Sequence, residues 1–201
     1  MKIEEETPKQ ASKGEVRLKV QAVGLNRAES MFIRGQYLEP PNFPAGVGYE
    51  AAGVVDAVGP DVDKSWVGKR VAIAPSFSMN DYTMLGEEVI APAAALGEYP
   101  ANLSPMEGAA VWMQYLTAYG ALIAIAHLTK GDCVVIPAAS SSVGIAAIDI
   151  AKVEGAISIA TTCKSNKKAE LLSLGAAHVI ATEDEDIVAR VKEITGDKGA
   201  V

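Results

Sequence analysis

Apolar and polar side chains alternate along EVRLKVQAVG (Glu15–Gly24), which puts Val16, Leu18, Val20 and Ala22 on one face. A period of two marks a half-buried strand. AAGVVDAVG (51–59), GKRVAIAP (68–75) and GEEVIAP (86–92) are further strand candidates in a stretch broken by Gly and Pro. NRAESMFIRG, between the first two, reads as a short helix stopped at Gly35. Together these runs predict an antiparallel, barrel-like β domain over residues 1–103.

The pattern changes near residue 100. Ser104, Pro105 and Glu107 make a capping box with proline in the first helical position. VWMQYLTAYGALIAIAHL (111–128) then predicts a long, largely buried helix. CVVIP, AISIATT and HVI predict strands, and helices are predicted over Ser142–Glu154 and SNKKAELLSLGA. Thr182 and Glu185 look like a second capping box, opening a helix through Ile194. Strands that are apolar throughout and alternate with helices indicate a parallel sheet covered on both faces. Residues 104–201 are therefore expected to form a doubly wound α/β domain holding its first three strands only.

Within that domain, the turn Ala139-Ser140-Ser141-Ser142-Val143-Gly144 joins an apolar strand to an apolar-faced helix. Dinucleotide-binding turns place glycines where Ala139, Ser141 and Gly144 stand, for the tight turn, the approach of the phosphates and helix–strand packing. Gly144 keeps the last role, and Ala139 and Ser141 are small enough to admit a phosphate. Serine hydroxyls donate to phosphate oxygens, and a helix start attracts an anion whatever its side chains. By itself the turn suits a pyrophosphate or an ordinary connection. An NAD site expects a carboxylate roughly 20 residues further on. Here stand Thr161, Thr162, Cys163 and Lys164, followed by Lys167 and Lys168. Hydroxyl and ammonium groups suit a 2′-phosphate, hence NADP(H), unless the lysines are simply a solvated helix face.

Composition narrows the classes. Of 201 residues, 49% are hydrophobic and 21% charged, so a packed core is expected. The net charge of −7 argues against nucleic acid or anionic lipid as partner. The two cysteines, Cys133 and Cys163, are too few for a disulfide framework and fit a reducing cytosol. The acidic opening MKIEEETPKQ is unlike a signal peptide, and no apolar run long enough to cross a membrane is expected. A cytoplasmic location follows as an expectation.

VQAVGLNRAESMFIRGQY, FPAGVGYEAAGVVDAVG, GKRVAIAP, YLTAYGAL, AASSSVG, KAELLSLGAAHVI and VKEITGDKGA occur in one order across nearly the whole chain. In them the chain resembles the zinc-free, quinone-oxidoreductase-like branch of the medium-chain dehydrogenase/reductase superfamily. The resemblance implies a chaperonin-10-like β-barrel domain followed by a Rossmann domain, with NADPH in the cleft between them. It also implies a reductase acting on a quinone, an enone or an aldehyde, and leaves a homo-oligomer open. It makes the serine turn (Ser140, Ser141, Ser142, Val143, Gly144) the pyrophosphate site, with Thr162, Lys164 and Lys168 toward the 2′-phosphate. Thr117 is then expected on the carboxamide side and Asn26 near the nicotinamide. Tyr37 of RGQY matches the tyrosine proton donor of some related enoyl reductases; lining the cleft is its other reading.

Zinc-dependent relatives carry Cys at the place of Asn26 and His at the place of Tyr49. Neither residue here is a credible zinc ligand, so no metal is expected. His127 and His178 read as structural. Two alternatives stay open: a zinc-type alcohol dehydrogenase relative that has lost its metal, and a non-catalytic NADPH-binding structural protein. Compared with the family pattern both ends look cut. The first β strand and the second half of the Rossmann sheet are the pieces expected elsewhere, and the 201-residue chain is expected to be inactive alone.

Overall fold

The structure, a computed structural model, describes residues 2–200. Its contacts divide the chain into two units that meet between Met113 and Gln114.

The first unit is built on an antiparallel sheet. β1 (Glu15–Gly24) pairs with β2 (Glu50–Val58) and with β4 (Glu88–Pro92); β3 (Arg70–Ile73) joins β2, and β5 (Leu96–Glu98) joins β3. The resulting order is β4-β1-β2-β3-β5. Alternation in β1 sends Val16 and Leu18 fully inside, where they meet Val55, Val71, Ile73, Met84 and Ala91. Register shifts between Arg17 and Leu18 and between Val20 and Ala22 break the period, so Val20 and Ala22 are only half-buried. Burying one such Leu or Val contributes about 1.5–3 kcal/mol. α1 (Arg27–Ile33) follows β1 and buries Phe32 and Glu29.

On the other side of β1, Arg17 forks onto Asp56 through Nε (2.9 Å) and a terminal nitrogen (2.8 Å). That hydrogen bond with Arg17 holds the Asp56 carboxyl below its usual range. A lowered folded pKa stabilises above the ordinary carboxylate pKa of about 3.9 and is lost as pH falls through the lowered value. Asp56→Asn is therefore expected to cost on the order of 1 kcal/mol at neutral pH, and the gap to wild type should close on acidification. Thermal midpoints measured from neutral to strongly acidic pH check this; a gap independent of pH contradicts it.

The second unit holds a parallel sheet of β6 (Cys133–Ile136), β7 (Ile157–Thr162) and β8 (His178–Ala181), in the order β6-β7-β8. α4 (Ser142–Glu154) crosses between β6 and β7, α5 (Lys168–Ser173) between β7 and β8, and α6 (Ile187–Thr195) follows β8. Ile136, Ala139, Ala146, Ile148, Ala151, Ala160 and Leu171 form the core under α4 and α5.

Two expectations about helices are corrected. The expected long buried helix is α2 (Pro105–Gly108), a break, α3 (Trp112–Tyr119) and a π-helical turn over Gly120–Ile125. Within α3 only Ala118 is buried, and Tyr119 and Ile125 are 54% and 78% exposed. A sequence apolar on every side does not say which side finds a partner. The stretch Pro105–Ile125 is also long and apolar enough to cross a membrane by length and composition, with mean hydropathy 1.3, which was not expected. The second correction concerns α6. Its cap is Asp186, which accepts from the Ala189 amide at 2.7 Å. Glu185 instead turns back and accepts from the Ala181 amide at 2.8 Å, and Thr182 donates its hydroxyl to the Thr162 carbonyl.

Candidate functional site

The turn between β6 and α4 is the better defined of two candidate centres. Ala138 takes a left-handed φ of 48°, and Ala139 donates its amide to the Thr161 carbonyl at 3.0 Å. The turn is thereby tied to the C-terminal end of β7. Ser141 caps α4, its Oγ accepting from the Gly144 amide at 3.2 Å. A Cβ on Gly144 would lie 2.6 Å from Ala139 Cα and carbonyl O, so the first turn of the helix closes directly onto the backbone of the loop. Only glycine permits that approach. The amides of Ser142 and Val143 have no acceptor among the described residues, and both residues are exposed. Two free amides at the positive end of a thirteen-residue helix make an anion cradle. A diphosphate fits this cradle, because the groups that would hold it are unpaired and the side chains around them are small.

The residues after β7 divide into different roles. Lys167 reaches back to the turn and donates to Ser140 Oγ at 3.0 Å. Lys168, its neighbour, pairs with Glu185, which together with the Ala181 amide keeps the Glu185 carboxyl below its usual range. Lys164 is exposed and Thr162 buried. Of the lysines expected to face a phosphate, Lys168 is thus engaged elsewhere, while Lys167 is brought to the turn. Two carboxylates lie in this region as well: Glu183 accepts from the Ser165 amide at 2.7 Å, and Asp184 accepts from the Ser165 hydroxyl. They come from the loop after β8, far in sequence from the turn, so spacing from the turn could not reveal them. Thr117 lies on an exposed part of α3.

The second centre lies in the first unit around Asn26 and Tyr37. Asn26 precedes α1, and its backbone amide donates to Glu29 Oε2 at 2.8 Å. Glu29 Oε1 accepts from the Tyr49 amide at 3.2 Å, which draws the β1 exit and the β2 entry together. The Asn26 side chain donates from Nδ2 to Glu50 Oε1 at 3.0 Å. The Tyr37 ring meets Tyr49 edge-on at 5.9 Å, and Tyr49 in turn contacts Phe77 at 6.0 Å. Burial, then the hydrogen bond with Tyr37, pushes the Tyr49 phenol up, so it stays a protonated donor across the physiological range. Phe32, Met79 and Met113 pack behind these rings. Glu29 was missed in the sequence, though Asn-x-x-Glu is a helix-start signature and would have found it.

Residues 12–137 match the family of the alcohol dehydrogenase GroES-like domain, and residues 142–201 match the family described as zinc-binding dehydrogenase. Quinone oxidoreductase 1 of Escherichia coli is 35% identical over 192 residues, covering 96% of this chain and 57% of that protein. The crystal structure of E. coli quinone oxidoreductase complexed with NADPH superimposes with a TM-score of 0.84 at 33% identity, covering 96% of this chain and 58% of that one. The CurK enoyl reductase structure gives a TM-score of 0.84 at 27% identity, over 98% of this chain and 60% of that one. The chain thus spans little more than half the length of these relatives.

Proposed function

From the premise that this chain belongs to the alcohol dehydrogenase GroES-like family, in the quinone-oxidoreductase-like branch of the medium-chain dehydrogenases/reductases, we propose that it serves NADPH-dependent reduction of a quinone or an α,β-unsaturated carbonyl without zinc. The observation that carries this reading is the anion cradle: two free amides at the start of α4, Gly144 closed onto Ala139, and Lys167 reaching Ser140. The Ser142 and Val143 amides and the Ser140 hydroxyl would hold the pyrophosphate, and Lys167 would add charge toward the adenosine end. Thr162 and Lys164 are assigned to the same end, Lys168 only at the cost of its pairing with Glu185, and Thr117 is assigned to the carboxamide. NADPH supplies the hydride when bound.

The chain's own residues then have to orient the acceptor and stabilise the charge that hydride addition leaves on oxygen. Quinones and enones spread that charge, which suits a site whose candidate donors are an amide and phenols. Tyr37 is assigned to donate its phenolic proton to the developing enolate or hydroquinone oxygen. Asn26 is assigned to hold that oxygen through Nδ2. Nothing in this chemistry requires Asn26 or Tyr49 to bind a metal, and both side chains already have protein partners.

NADPH oxidation by a protein that carries this chain at the full length of its relatives, with a panel of quinones, enones and simple aldehydes and zinc chelator present, tests the reading. Turnover of quinones or enones supports it, and metal-dependent turnover of unactivated alcohols or aldehydes would replace it. In the same assay Tyr37→Phe is expected to lower turnover of an enone by roughly a hundredfold, with NADPH affinity unchanged. An equal loss of affinity would make Tyr37 a binding residue and no proton donor.

A further inference from the structure

Glu29 and Glu50 are the buried carboxylates among the described residues, 8% and 2% exposed. Glu29 holds backbone. Glu50 does something different. Its Oε1 accepts from Asn26 Nδ2 at 3.0 Å and its Oε2 from the Met113 amide at 2.9 Å. Space has been cleared for it: a Cβ on Gly24 would fall 2.4 Å from Glu50 Cγ, 2.6 Å from Oε1 and 2.3 Å from the Ala109 carbonyl. Only a residue without a side chain at position 24 lets this carboxylate reach both donors.

We propose that Glu50 is a positioning residue, whose carboxylate fixes the Asn26 carboxamide in one of its two flips. With one Nδ2 proton held by Glu50, the second has no acceptor among the described residues and is left to donate to the acceptor oxygen. The inference rests on the assignment of Asn26 to the reaction made above. A carboxylate is needed for a reason of count. Asn26 Nδ2 and the Met113 amide converge on residue 50, with the Trp112 amide as a further donor, and both oxygens of a carboxylate accept. Glutamine offers one oxygen and one NH2 group, so one donor would face another donor. The negative charge also polarises the bonded amide and strengthens its remaining N–H as a donor. Burial, with Glu29 of α1 as the like charge facing it, raises the Glu50 pKa, while the Met113, Asn26 and Trp112 donors oppose that.

The test is proton–nitrogen NMR of the whole chain, with the Asn26 side-chain pair assigned by its loss in Asn26→Ala. The wild type is expected to show two widely separated Asn26 NH2 protons, one of them slow to exchange. In Glu50→Gln the separation narrows to that of a free carboxamide and the protection is lost, while backbone amides remote from residues 24, 26, 50 and 113 keep their positions. A wild-type pair with the ordinary separation and fast solvent exchange of a free carboxamide overturns the proposal, and this reading needs no variant, so it decides the matter even if Glu50→Gln fails to fold. An unchanged pair in a folded Glu50→Gln also overturns it. Addition of NADP+ with a 1,4-naphthoquinone, each titrated separately beforehand, is expected to shift the wild-type pair. If both probes bind and the pair stays held by Glu50 but unmoved, the assignment of Asn26 to the reaction is what fails.

Discussion

Gly144→Val is expected to abolish measurable NADPH binding and to lower the thermal midpoint of the second unit. The cause is local and steric. Even the first added carbon would stand 2.6 Å from Ala139 Cα and O and 2.7 Å from its carbonyl C. These are backbone atoms, and Ala139 is fully buried and tied to Thr161, so the loop has little freedom to retreat. Overpacking of this kind costs about 1–3 kcal/mol for small insertions, and valine adds two more methyl groups. The helix start would move away from the loop, and the Ser142 and Val143 amides would no longer converge. Since each 1.4 kcal/mol is tenfold in affinity, misplacing both amides takes binding out of the useful range. Ser142→Ala is the control. It keeps the backbone amide and should lower affinity by less than about tenfold, because most of the attraction comes from helix N–H groups. Nicotinamide fluorescence titration and thermal melts check both variants. A Gly144→Val protein that binds like wild type contradicts the cradle.

The second large effect concerns the choice between NADPH and NADH. Lys167→Ala is expected to weaken NADPH about tenfold or more and to leave NADH nearly unchanged. A charge-assisted hydrogen bond contributes about 1.5–3 kcal/mol, and only a ligand carrying the 2′-phosphate offers the extra charge at the end of β7, where the adenosine ribose lies in doubly wound folds. Lys168→Ala should behave differently. Its ammonium is committed to Glu185, which also accepts from the Ala181 amide and from Arg190 Nε at 3.1 Å. Losing it loosens the β8–α6 corner and lowers stability more than cofactor affinity. Paired titrations of both nucleotides with both variants separate the two lysines. Equal losses for NADPH and NADH in Lys167→Ala would remove the case for a 2′-phosphate contact there.

The contrast between these neighbouring lysines shows where sequence reading stops. The strand-turn-helix over β6 and α4 was legible because apolar runs, small residues and Gly144 all point to one backbone path. The parallel sheet was legible from strands apolar on both faces. Which lysine faces the turn depends on a short 3-10 turn at Ser165–Lys167 that sets the phase of α5; a shift of one residue exchanges the two side chains. The same limit applies to Glu185. Its spacing from Thr182 imitated a capping box, but β8 carries the chain on so that Asp186 reaches the helix amides first. β5 went unread because three residues, Leu96–Glu98, are too short to show a period. The exposure of α3 was unreadable for another reason: Tyr115, Tyr119, Ile123, Ile150 and Val153 line an open apolar groove of about 320 Å³, and the same residues would serve equally well in a core. At the other centre, Asn26 is singled out by its place in a motif. Glu29 could have been found from its spacing to Asn26, whereas the contact of Glu50 with the Asn26 side chain emerges only when β1, β2 and α1 are assembled.

A crystal structure of the chain soaked with NADPH tests the central claim most directly. The account predicts the pyrophosphate within hydrogen-bond distance of the Ser142 and Val143 amides, with Lys167 Nζ turned from Ser140 onto a phosphate oxygen. Nucleotide density elsewhere, with those two amides still facing solvent, would contradict it.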